Sequence, residues 1–125
     1  MVLGIGIDSV DIEEMARLTA DADGAFTRRT FSEAERAEAF ARHDAAACLA
    51  GKFAVKEATF KALAHRTAEG FDFRCVETLE DENGCPHVTL SGALAPVLAE
   101  VGVSELLVSI TNEKGVATAI VLAQS

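Results

Sequence analysis

The segment from Ala45 to Ala64 constrains the fold more than any other part of the chain. It contains no proline and only one glycine, Gly51, and it is rich in alanine, leucine and lysine. These residues favour helix, so the segment predicts a helix of about five turns. A chain of 125 residues has the length of one domain, and such a helix must then pack in its one core. We therefore expect a single domain over residues 1–125.

The N-terminal segment has the alternation of a β-strand. It reads V-L-G-I-G-I-D-S-V-D-I from Val2 to Ile12. In a strand, Leu3, Ile5 and Ile7 lie on one side, and Gly4, Gly6 and Asp8 lie on the other. Asp8 is therefore expected beside residues without side chains. A short helix is predicted from Ile12 to about Thr19, and turn-forming residues from Asp21 to Gly24 end it.

Two further helices are predicted from their start signals. Ser32 followed by Glu35 is a capping box, which predicts a helix through about Arg42. Asp44 is expected to cap the long helix that follows. Ser91 is expected to cap a helix over Gly92–Val101, which has apolar residues at helical spacing.

Two β-hairpins complete the predicted plan. The first joins Arg74–Leu79 to His87–Leu90 through Asn83-Gly84, a pair that supplies the positive φ angles of a tight turn. The second joins Glu105–Thr111 to Val116–Ala123 around N-E-K-G. The order of elements predicts an α+β sandwich, a β-α-β-β-α-β plan with extra helices and an extra edge strand.

Charge, cysteine content and hydropathy exclude several classes of protein. With 11 basic and 20 acidic side chains the net charge is −9, so nucleic acid is not an expected partner. The three cysteines form no C-x-x-C pair and the three histidines lie 22 residues apart, which favours neither a disulfide framework nor a zinc site. No apolar run reaches the roughly 18–20 residues that span a bilayer. We expect a cytoplasmic protein with no membrane partner.

An acid and an amine share one arc of the predicted long helix. At 100° per residue, Ala50, Ala54, Glu57 and Lys61 fall within about 60°, and the phenylalanines lie on another face. Small residues beside the charged pair allow a backbone or a ligand to approach closely. The alternative interpretation is a surface ion pair between residues four apart, worth roughly 0.2–0.5 kcal/mol.

Asp8 and Glu57 together suggest a metal site. Both supply hard carboxylate oxygens of the sort that hold Mg²⁺ through few protein ligands, with substrate phosphate completing the octahedron. Asp8 alone could instead cap a following turn or helix. Lys52 and Lys56 lie on the same helix and could add positive charge near a phosphate, with Lys56 directed toward the phenylalanine face.

The motifs in combination resemble a known enzyme family. The segments G-I-G-I-D-S-V-D-I and, about forty residues later, A-G-K-F-A-V-K-E-A-T-F-K-A-L are similar to holo-acyl-carrier-protein synthase, one of the 4′-phosphopantetheinyl transferases. N-G-C-P stands in the place of the family's N-G-K-P hairpin, and V-S-I-T-N in that of its V-S-I-T-H strand end. The resemblance covers nearly the whole chain, and K-E-A-x-x-K is its most diagnostic element.

The resemblance implies a phosphopantetheinyl transferase fold and a Mg²⁺-dependent reaction. Phosphopantetheine passes from coenzyme A to a serine of an apo acyl carrier protein, and adenosine 3′,5′-bisphosphate leaves. By position, Asp8 and Glu57 resemble the metal ligands, Lys61 resembles the lysine that neutralises or protonates the departing phosphate, and Asp8, Glu57 and Lys61 form the implied catalytic set. Lys52 takes the place of an arginine that touches a coenzyme A phosphate. The implied coenzyme A-binding residues are Lys52, Lys56, Gly84, Pro86, Ser109 and Thr111.

The resemblance also implies a homotrimer with active sites between subunits. The Asp8 and Glu57 cluster of one chain would then lie against the adenine-binding surface of the next. Where the family has N-G-K-P and V-S-I-T-H, this chain has Cys85 and Asn112, and His87, Lys114 or Arg66 could supply the missing positive charge. A catalytically silent module that binds coenzyme A or a carrier, and a purely structural α+β domain, are the alternative hypotheses.

The first predicted helix departs from the family in its charge. Family members carry basic residues there to meet an acidic carrier, whereas this chain has Glu13, Glu14 and only Arg17, with Arg28 and Arg29 on the predicted loop that follows. Repulsion at low salt would slow association with a strongly acidic carrier. We therefore expect a specialised carrier, less acidic or held at high local concentration, as in a secondary-metabolite pathway.

Overall fold

Helices and strands alternate along the chain in an α+β arrangement, as the sequence predicts. The computed structural model describes residues 1–63 and 71–125. Its elements in chain order are β1 (Val2–Asp11), α1 (Ile12–Leu18), α2 (Ala25–Thr30), α3 (Glu33–Phe40), α4 (Ala45–Ala62), a 3₁₀ turn (Phe73–Cys75), β2 (Val76–Glu80), β3 (Pro86–Leu90), α5 (Leu94–Glu100), β4 (Glu105–Glu113) and β5 (Val116–Gln124).

The strands form two antiparallel sheets. The larger sheet has the order β1-β5-β4, with β5 in the centre, and the smaller one pairs β2 with β3. The long helix α4 packs on one face of the larger sheet. Alternate residues of β5 point to this helix and are buried, namely Ala117, Ala119, Val121 and Ala123. Burial of this face supplies the hydrophobic stabilisation of the fold.

Two groups of buried side chains flank α4. The larger one lies between the helix, β5 and the smaller sheet and includes Val55, Leu63, Val76 and Leu98. The second lies toward α1 and α3 and is built around Met15, Phe31 and Leu49. The helix therefore has no solvent-facing side along most of its length, which explains why 13 of its 18 residues are alanine, glycine or larger apolar residues. Within the described residues, no helix combines the length and apolar character needed to cross a bilayer.

Several local predictions are confirmed. The Ser32 hydroxyl accepts from the backbone N–H of Glu35 at 3.1 Å, and the Glu35 carboxylate accepts from that of Ser32 at 2.9 Å, which completes the capping box. The long helix runs from Ala45 to Ala62, while Ala64, its predicted end, lies outside the described residues. Both hairpins form, and the 3₁₀ turn replaces the predicted start of the first hairpin at Arg74.

Other local predictions are wrong. Arg28 and Arg29 lie in α2, which the sequence did not predict because its N-cap is Gly24 and no side chain caps it. Asp44 makes no cap hydrogen bond to α4, because Arg42 binds its carboxylate at 2.8 Å. The last helix begins at Leu94 rather than after Ser91, since Gly92 has a φ of +58° and leaves the helical region.

The turn between β2 and β3 has one residue with positive φ where the sequence predicts two. In the first turn Gly84 has a φ of +79°, whereas Asn83 is not among the described residues with positive φ. In the second turn both Lys114 and Gly115 have positive φ, 52° and 78°. The paired positive angles of a two-residue turn therefore occur in the β4–β5 hairpin rather than in the β2–β3 hairpin.

Candidate active site

Two glycines set how closely β1 approaches α4. A Cβ added to Gly6 would lie 1.8 Å from the carbonyl oxygen of Ala58, and one added to Gly4 would lie 2.1 Å from that of Ala62. Only glycine permits this approach. The backbone of β1 therefore lies directly against the α4 backbone at Ala58 and Ala62, and Asp8, next on the same side of β1, is brought to the same helix.

Asp8 and Lys61 meet across this contact. The Lys61 Nζ donates to Asp8 Oδ1 at 2.9 Å and to the carbonyl oxygen of Ile7 at 3.0 Å. The Asp8 side chain is 20 % exposed and the Lys61 side chain 52 %. The ammonium group has three protons, and among residues 1–63 and 71–125 only two of them have protein acceptors.

Glu57 lies one helical turn before Lys61 on α4 and is partly buried. Burial raises the pKa of Glu57, the nearby Asp8 carboxylate raises it further, and Lys61 opposes both effects. Lys61 is bonded to Asp8 and acts on Glu57 only through its charge, so two carboxylates lie near one ammonium group. We call Asp8, Glu57 and Lys61 the β1–α4 corner.

The donor chemistry of this corner fits Mg²⁺. Asp8 and Glu57 would hold the ion through hard oxygen atoms, and its charge would relieve the repulsion that raises the pKa of Glu57. Within residues 1–63 and 71–125, no group of three or more His, Cys, Asp or Glu side chains is arranged to hold a metal. A magnesium ion here would therefore take its other ligands from water and from substrate phosphate, as Mg²⁺ usually does.

A separate groove lies at the other end of α4, against the β2–β3 hairpin. It encloses about 190 Å³. Three of the predicted coenzyme A-binding residues, Lys52, Gly84 and Pro86, line it. We call it the α4–hairpin groove, and its lining residues are Arg42, Asp44, Ala47, Cys48, Gly51, Lys52, Thr78, Glu80, Gly84, Pro86, Ile110 and Asn112. The corner residues are not among them.

Lys52 is bound to protein groups at the edge of this groove. Its amine donates to Glu38 Oε1 at 2.6 Å and to the carbonyl oxygen of Thr78 at 2.5 Å, and its side chain is 4 % exposed. The lysine therefore links α4 to α3 and to β2. A ligand phosphate would have to compete with both of these partners.

Lys56 does not lie in a binding site, which corrects the expectation that it contacts a phosphate. Its side chain is fully buried, and its amine donates to Glu35 Oε1, to the carbonyl oxygen of Phe73 and to that of Val76 at 2.6–2.7 Å. All three protons of the ammonium group are thus used within the protein. Its ring contact with Phe31, 5.7 Å from the centroid, adds to this internal role.

Ser109 and Thr111 do not line the α4–hairpin groove either, which corrects their grouping with Gly84 and Pro86. They alternate along β4 with Ile110, which points inward, so both point to the outer face of the sheet and are exposed. Within one subunit, Ser109 therefore faces away from the groove and lines a shallow opening of about 130 Å³ on the outer face of the sheet.

Several groove residues gave no signal in the sequence. Arg42, Asp44 and Glu80 form ion pairs at one rim of the groove, with Arg42 bridging the other two at 2.8–3.1 Å. The sequence pattern marks Arg42 only as the end of one helix and Asp44 only as the cap of the next. Glu80 lies 38 residues beyond Arg42, so no local pattern joins the two. His87, one of the residues considered for missing charge, binds Asp81 at 2.8 Å, and Arg66 lies outside the described residues.

Comparison with known proteins identifies similar chains over the full length. The model of the 4′-phosphopantetheinyl transferase superfamily matches residues 4–121. A holo-[acyl-carrier-protein] synthase of Trichlorobacter lovleyi is 34 % identical over 125 residues, which cover 100 % of this chain and 99 % of the relative.

Solved structures are similar as well. The crystal structure of holo-[acyl-carrier-protein] synthase from Neisseria meningitidis has a TM-score of 0.86 and 30 % identity, with all of both chains covered. The Helicobacter pylori holo-[acyl-carrier-protein] synthase, solved in complex with coenzyme A, has a TM-score of 0.80 and 27 % identity over 96 % of this chain and 99 % of that one.

Proposed function

The chain belongs to the 4′-phosphopantetheinyl transferase superfamily and is an enzyme of the holo-[acyl-carrier-protein] synthase type, and we propose that it transfers 4′-phosphopantetheine from coenzyme A to a serine of an apo acyl carrier protein. The observation that carries this proposal is the β1–α4 corner, where two carboxylates and a half-exposed lysine meet at a glycine-packed contact. Such a set suits phosphoryl transfer, which depends on positioning and on neutralising phosphate charge.

The reaction needs few protein groups. The carrier serine hydroxyl gives up its proton to water as its oxygen attacks the pyrophosphate phosphorus that bears the pantetheine arm, the phosphoanhydride P–O bond breaks, and adenosine 3′,5′-bisphosphate leaves with the negative charge. The free N–H of Lys61 is positioned to donate to that leaving phosphate, while Asp8 fixes the amine. Asp8 and Glu57 would hold Mg²⁺, which when bound polarises the phosphate oxygens. The nucleophile belongs to the carrier, so the chain needs none of its own.

Mass spectrometry of an apo carrier incubated with coenzyme A and Mg²⁺ tests this function. We expect a mass gain of one phosphopantetheine that is lost with a chelator and restored by Mg²⁺. Glu57→Ala and Lys61→Ala should greatly slow its appearance, whereas Glu100→Ala, which removes an exposed helical glutamate elsewhere, should not. Coenzyme A binding without any mass gain, over several unrelated carriers, would favour the silent binding module instead.

We also propose that the chain forms a homotrimer through the outer face of the larger sheet. That face exposes apolar side chains, among them Ile5 at 60 %, Ile7 at 58 % and Leu107 at 42 %. Contiguous apolar surface of this kind usually marks an interface. Because the corner and the α4–hairpin groove are separate openings on one chain, a shared interface would let the corner of one subunit complete the groove of another.

Light scattering tests the assembly. We expect a particle of about three times the 13.2 kDa chain mass. Ile5→Glu should dissociate it, because the substitution puts a charge on the proposed interface. Leu18→Glu, which changes an apolar side chain on α1 that is 44 % exposed, should leave the mass unchanged. A monomer in the unmodified protein would contradict the proposal.

The charge of α1 supports a carrier that is not strongly acidic. Glu13 and Glu14 are exposed, and Arg17 forms ion pairs with both of them, so the helix presents no unpaired cation to an acidic partner. The expected outcome is that modification of a strongly acidic carrier does not accelerate when salt is lowered. A rate that rises steeply at low salt would contradict this proposal.

The free thiols of Cys48, Cys75 and Cys85 suit a reducing cytoplasm.

A further inference from the structure

The floor of the α4–hairpin groove is apolar and closely packed. Ala47 and Gly51 on α4 and Ile110 on β4 line it, and a Cβ on Gly51 would lie 3.2 Å from Ile110 Cγ2. Pro86 lines the groove from the hairpin. A floor of this composition suits a flat apolar group such as a purine ring, and it offers nothing to a phosphate.

Arg42, the cation at the rim of the groove, already forms ion pairs with Asp44 and Glu80. Arg42 donates from Nε and Nη2 to the two oxygens of Asp44 at 2.8 and 3.1 Å. Its Nη1 donates to both oxygens of Glu80 at 3.1–3.2 Å. The guanidinium fork therefore spans two carboxylates, and both of these also line the groove. An incoming phosphate would have to displace one of these carboxylates from the guanidinium group.

The second cation of the groove is neutralised as well. Lys52 is bound to Glu38 and to the Thr78 carbonyl oxygen. Counting only the described lining residues and the Glu38 partner, two cations face three carboxylates. The local charge is therefore negative, which disfavours a phosphate monoester dianion.

The groove lining includes two neutral hydrogen-bonding side chains, the buried Thr78 and the exposed Asn112. Thr78 is 2 % exposed, and its Oγ1 is buried with no hydrogen-bond partner in the described part of the chain. An unpaired buried hydroxyl carries a free-energy cost that a ligand can remove by bonding to it. A hydroxyl can donate or accept, so it suits a ribose hydroxyl or a base edge, both of which are neutral.

We infer that this groove binds the nucleoside end of the donor without a favourable contact to its 3′-phosphate, so that the enzyme accepts 3′-dephospho-coenzyme A nearly as well as coenzyme A. This inference rests on the proposed transferase function. With the shorter donor the same phosphoanhydride bond breaks and the same phosphoester to the carrier serine forms. Adenosine 5′-monophosphate then leaves in place of adenosine 3′,5′-bisphosphate, with no other reactant required.

Steady-state kinetics with the two donors test the inference. We expect kcat/KM for the two donors to agree within about threefold, a difference of under 1 kcal/mol in transition-state binding by the usual conversion. Chromatography of the released nucleotide should detect adenosine 5′-monophosphate from the dephospho donor. A preference for coenzyme A of more than about tenfold would overturn the inference while leaving the transferase function intact. No transfer from either donor would overturn both.

A single substitution should create the missing phosphate preference. Glu80→Gln removes one of the two carboxylates on Arg42 and leaves a cation with an open side at the groove rim. Because a charge-assisted hydrogen bond to phosphate is strong, we expect this variant to prefer coenzyme A over the dephospho donor by about tenfold. Glu82→Gln removes a charge from the same hairpin outside the groove lining and should leave the donor ratio unchanged. An equal ratio in both variants would contradict the role assigned to the Arg42 ion pairs.

Discussion

Lys56 and Lys61 of α4 each form an ion pair with a carboxylate, but they differ in burial. Lys56 is buried, pairs with Glu35 and uses its remaining protons on two carbonyl oxygens. Lys61 lies five residues further along, pairs with Asp8 and is 52 % exposed. Both make a short ammonium–carboxylate bond. What separates them is that Lys56 has acceptors for all three of its ammonium protons, whereas Lys61 has acceptors for two among the described residues.

The buried pair also supports the backbone of β2. Glu35 accepts from the backbone N–H of Thr78 at 3.0 Å, and Lys56 donates to the carbonyl oxygen of Val76 at 2.6 Å. These side chains bond the edge of β2 that β3 does not pair with, much as a neighbouring strand would. Lys52 and Glu38 continue the same pattern at Thr78 and Glu80. The acid and amine groups of this region therefore hold the fold together, whereas Lys61 and Asp8 of the β1–α4 corner remain partly exposed to solvent.

The largest expected effect is the loss of stability in Lys56→Ala. Removing the amine leaves the Glu35 carboxylate buried without a counter-ion, which costs about 3–5 kcal/mol. Urea denaturation measures the change in the free energy of unfolding. Lys61→Ala, the same chemical change on the same helix, serves as the matched control and should change it by no more than about 0.5 kcal/mol, because Lys61 is exposed. Equal losses in the two variants would remove the distinction between the regions.

The next effect is on catalysis and reverses the order of the two lysines. Lys61→Ala should lower kcat by about 10²–10³-fold, the cost of losing one donor to a developing phosphate charge. Initial rates of carrier modification at saturating coenzyme A measure it. Circular dichroism and the urea midpoint establish that the variant is folded. A variant that keeps more than about a third of the wild-type kcat would show that the amine is only a surface ion pair.

A smaller effect is expected from Gly6→Ala, which tests how the corner is assembled. The new Cβ would lie 1.8 Å from the Ala58 carbonyl oxygen, so β1 must move away from α4. We expect a loss of about 1–3 kcal/mol, as overpacking usually costs, together with a fall in kcat because Asp8 moves with the strand. Gly115→Ala is the control. Its φ is +78° but nothing lies within 4 Å of its Cβ, so it should lose some stability and keep its kcat.

The sequence was sufficient for the elements whose signals are local. The capping box at Ser32 and Glu35, the proline-free helix and the glycine alternation of β1 each depend on residues a few positions apart, and each is confirmed. The helix α2 was missed because its six residues, A-F-T-R-R-T, are too short for apolar periodicity and lack a side-chain cap.

The residues of the candidate site also differ in whether a local sequence pattern predicts them. Asp8, Glu57 and Lys61 could be found because strand and helix periods put them on faces that small residues allow to meet. Lys56 could not be separated from Lys61 by spacing, since its partner Glu35 is 21 residues away and its other acceptors are backbone oxygens. The Arg42 ion pairs were missed because they join segments 38 residues apart. Whether a charged side chain is saturated depends on long-range contacts that no local pattern reports.

The smallest effect concerns Glu57 and has a definite sign. Its pKa is raised in the folded protein, chiefly by burial and then by Asp8. A raised carboxyl pKa means that the protonated form is favoured by folding, so this contribution to stability is present below the unfolded value of 4.5 and is lost as the pH rises through the folded pKa. Glu57→Gln should therefore have a slightly higher urea midpoint than wild type at pH 7.5, with the difference disappearing near pH 4.

Asp81→Asn is the comparison variant, and we expect it to change the urea midpoint in the opposite direction to Glu57→Gln. Backbone N–H groups of Cys85 and Asn83, together with His87, lower the pKa of Asp81, so its contribution is present above the unfolded value of 3.8 and is lost on acidification. Asp81→Asn should have a lower midpoint than wild type at pH 7.5. If Glu57→Gln also lowers the midpoint there, Glu57 is a stabilising surface acid, and the β1–α4 corner is no different in kind from the saturated pairs at the other end of α4. A gain in stability with a loss of transfer would instead mark Glu57 as a group kept ionised at a cost to the fold, as expected of a metal ligand in a site built for phosphate chemistry.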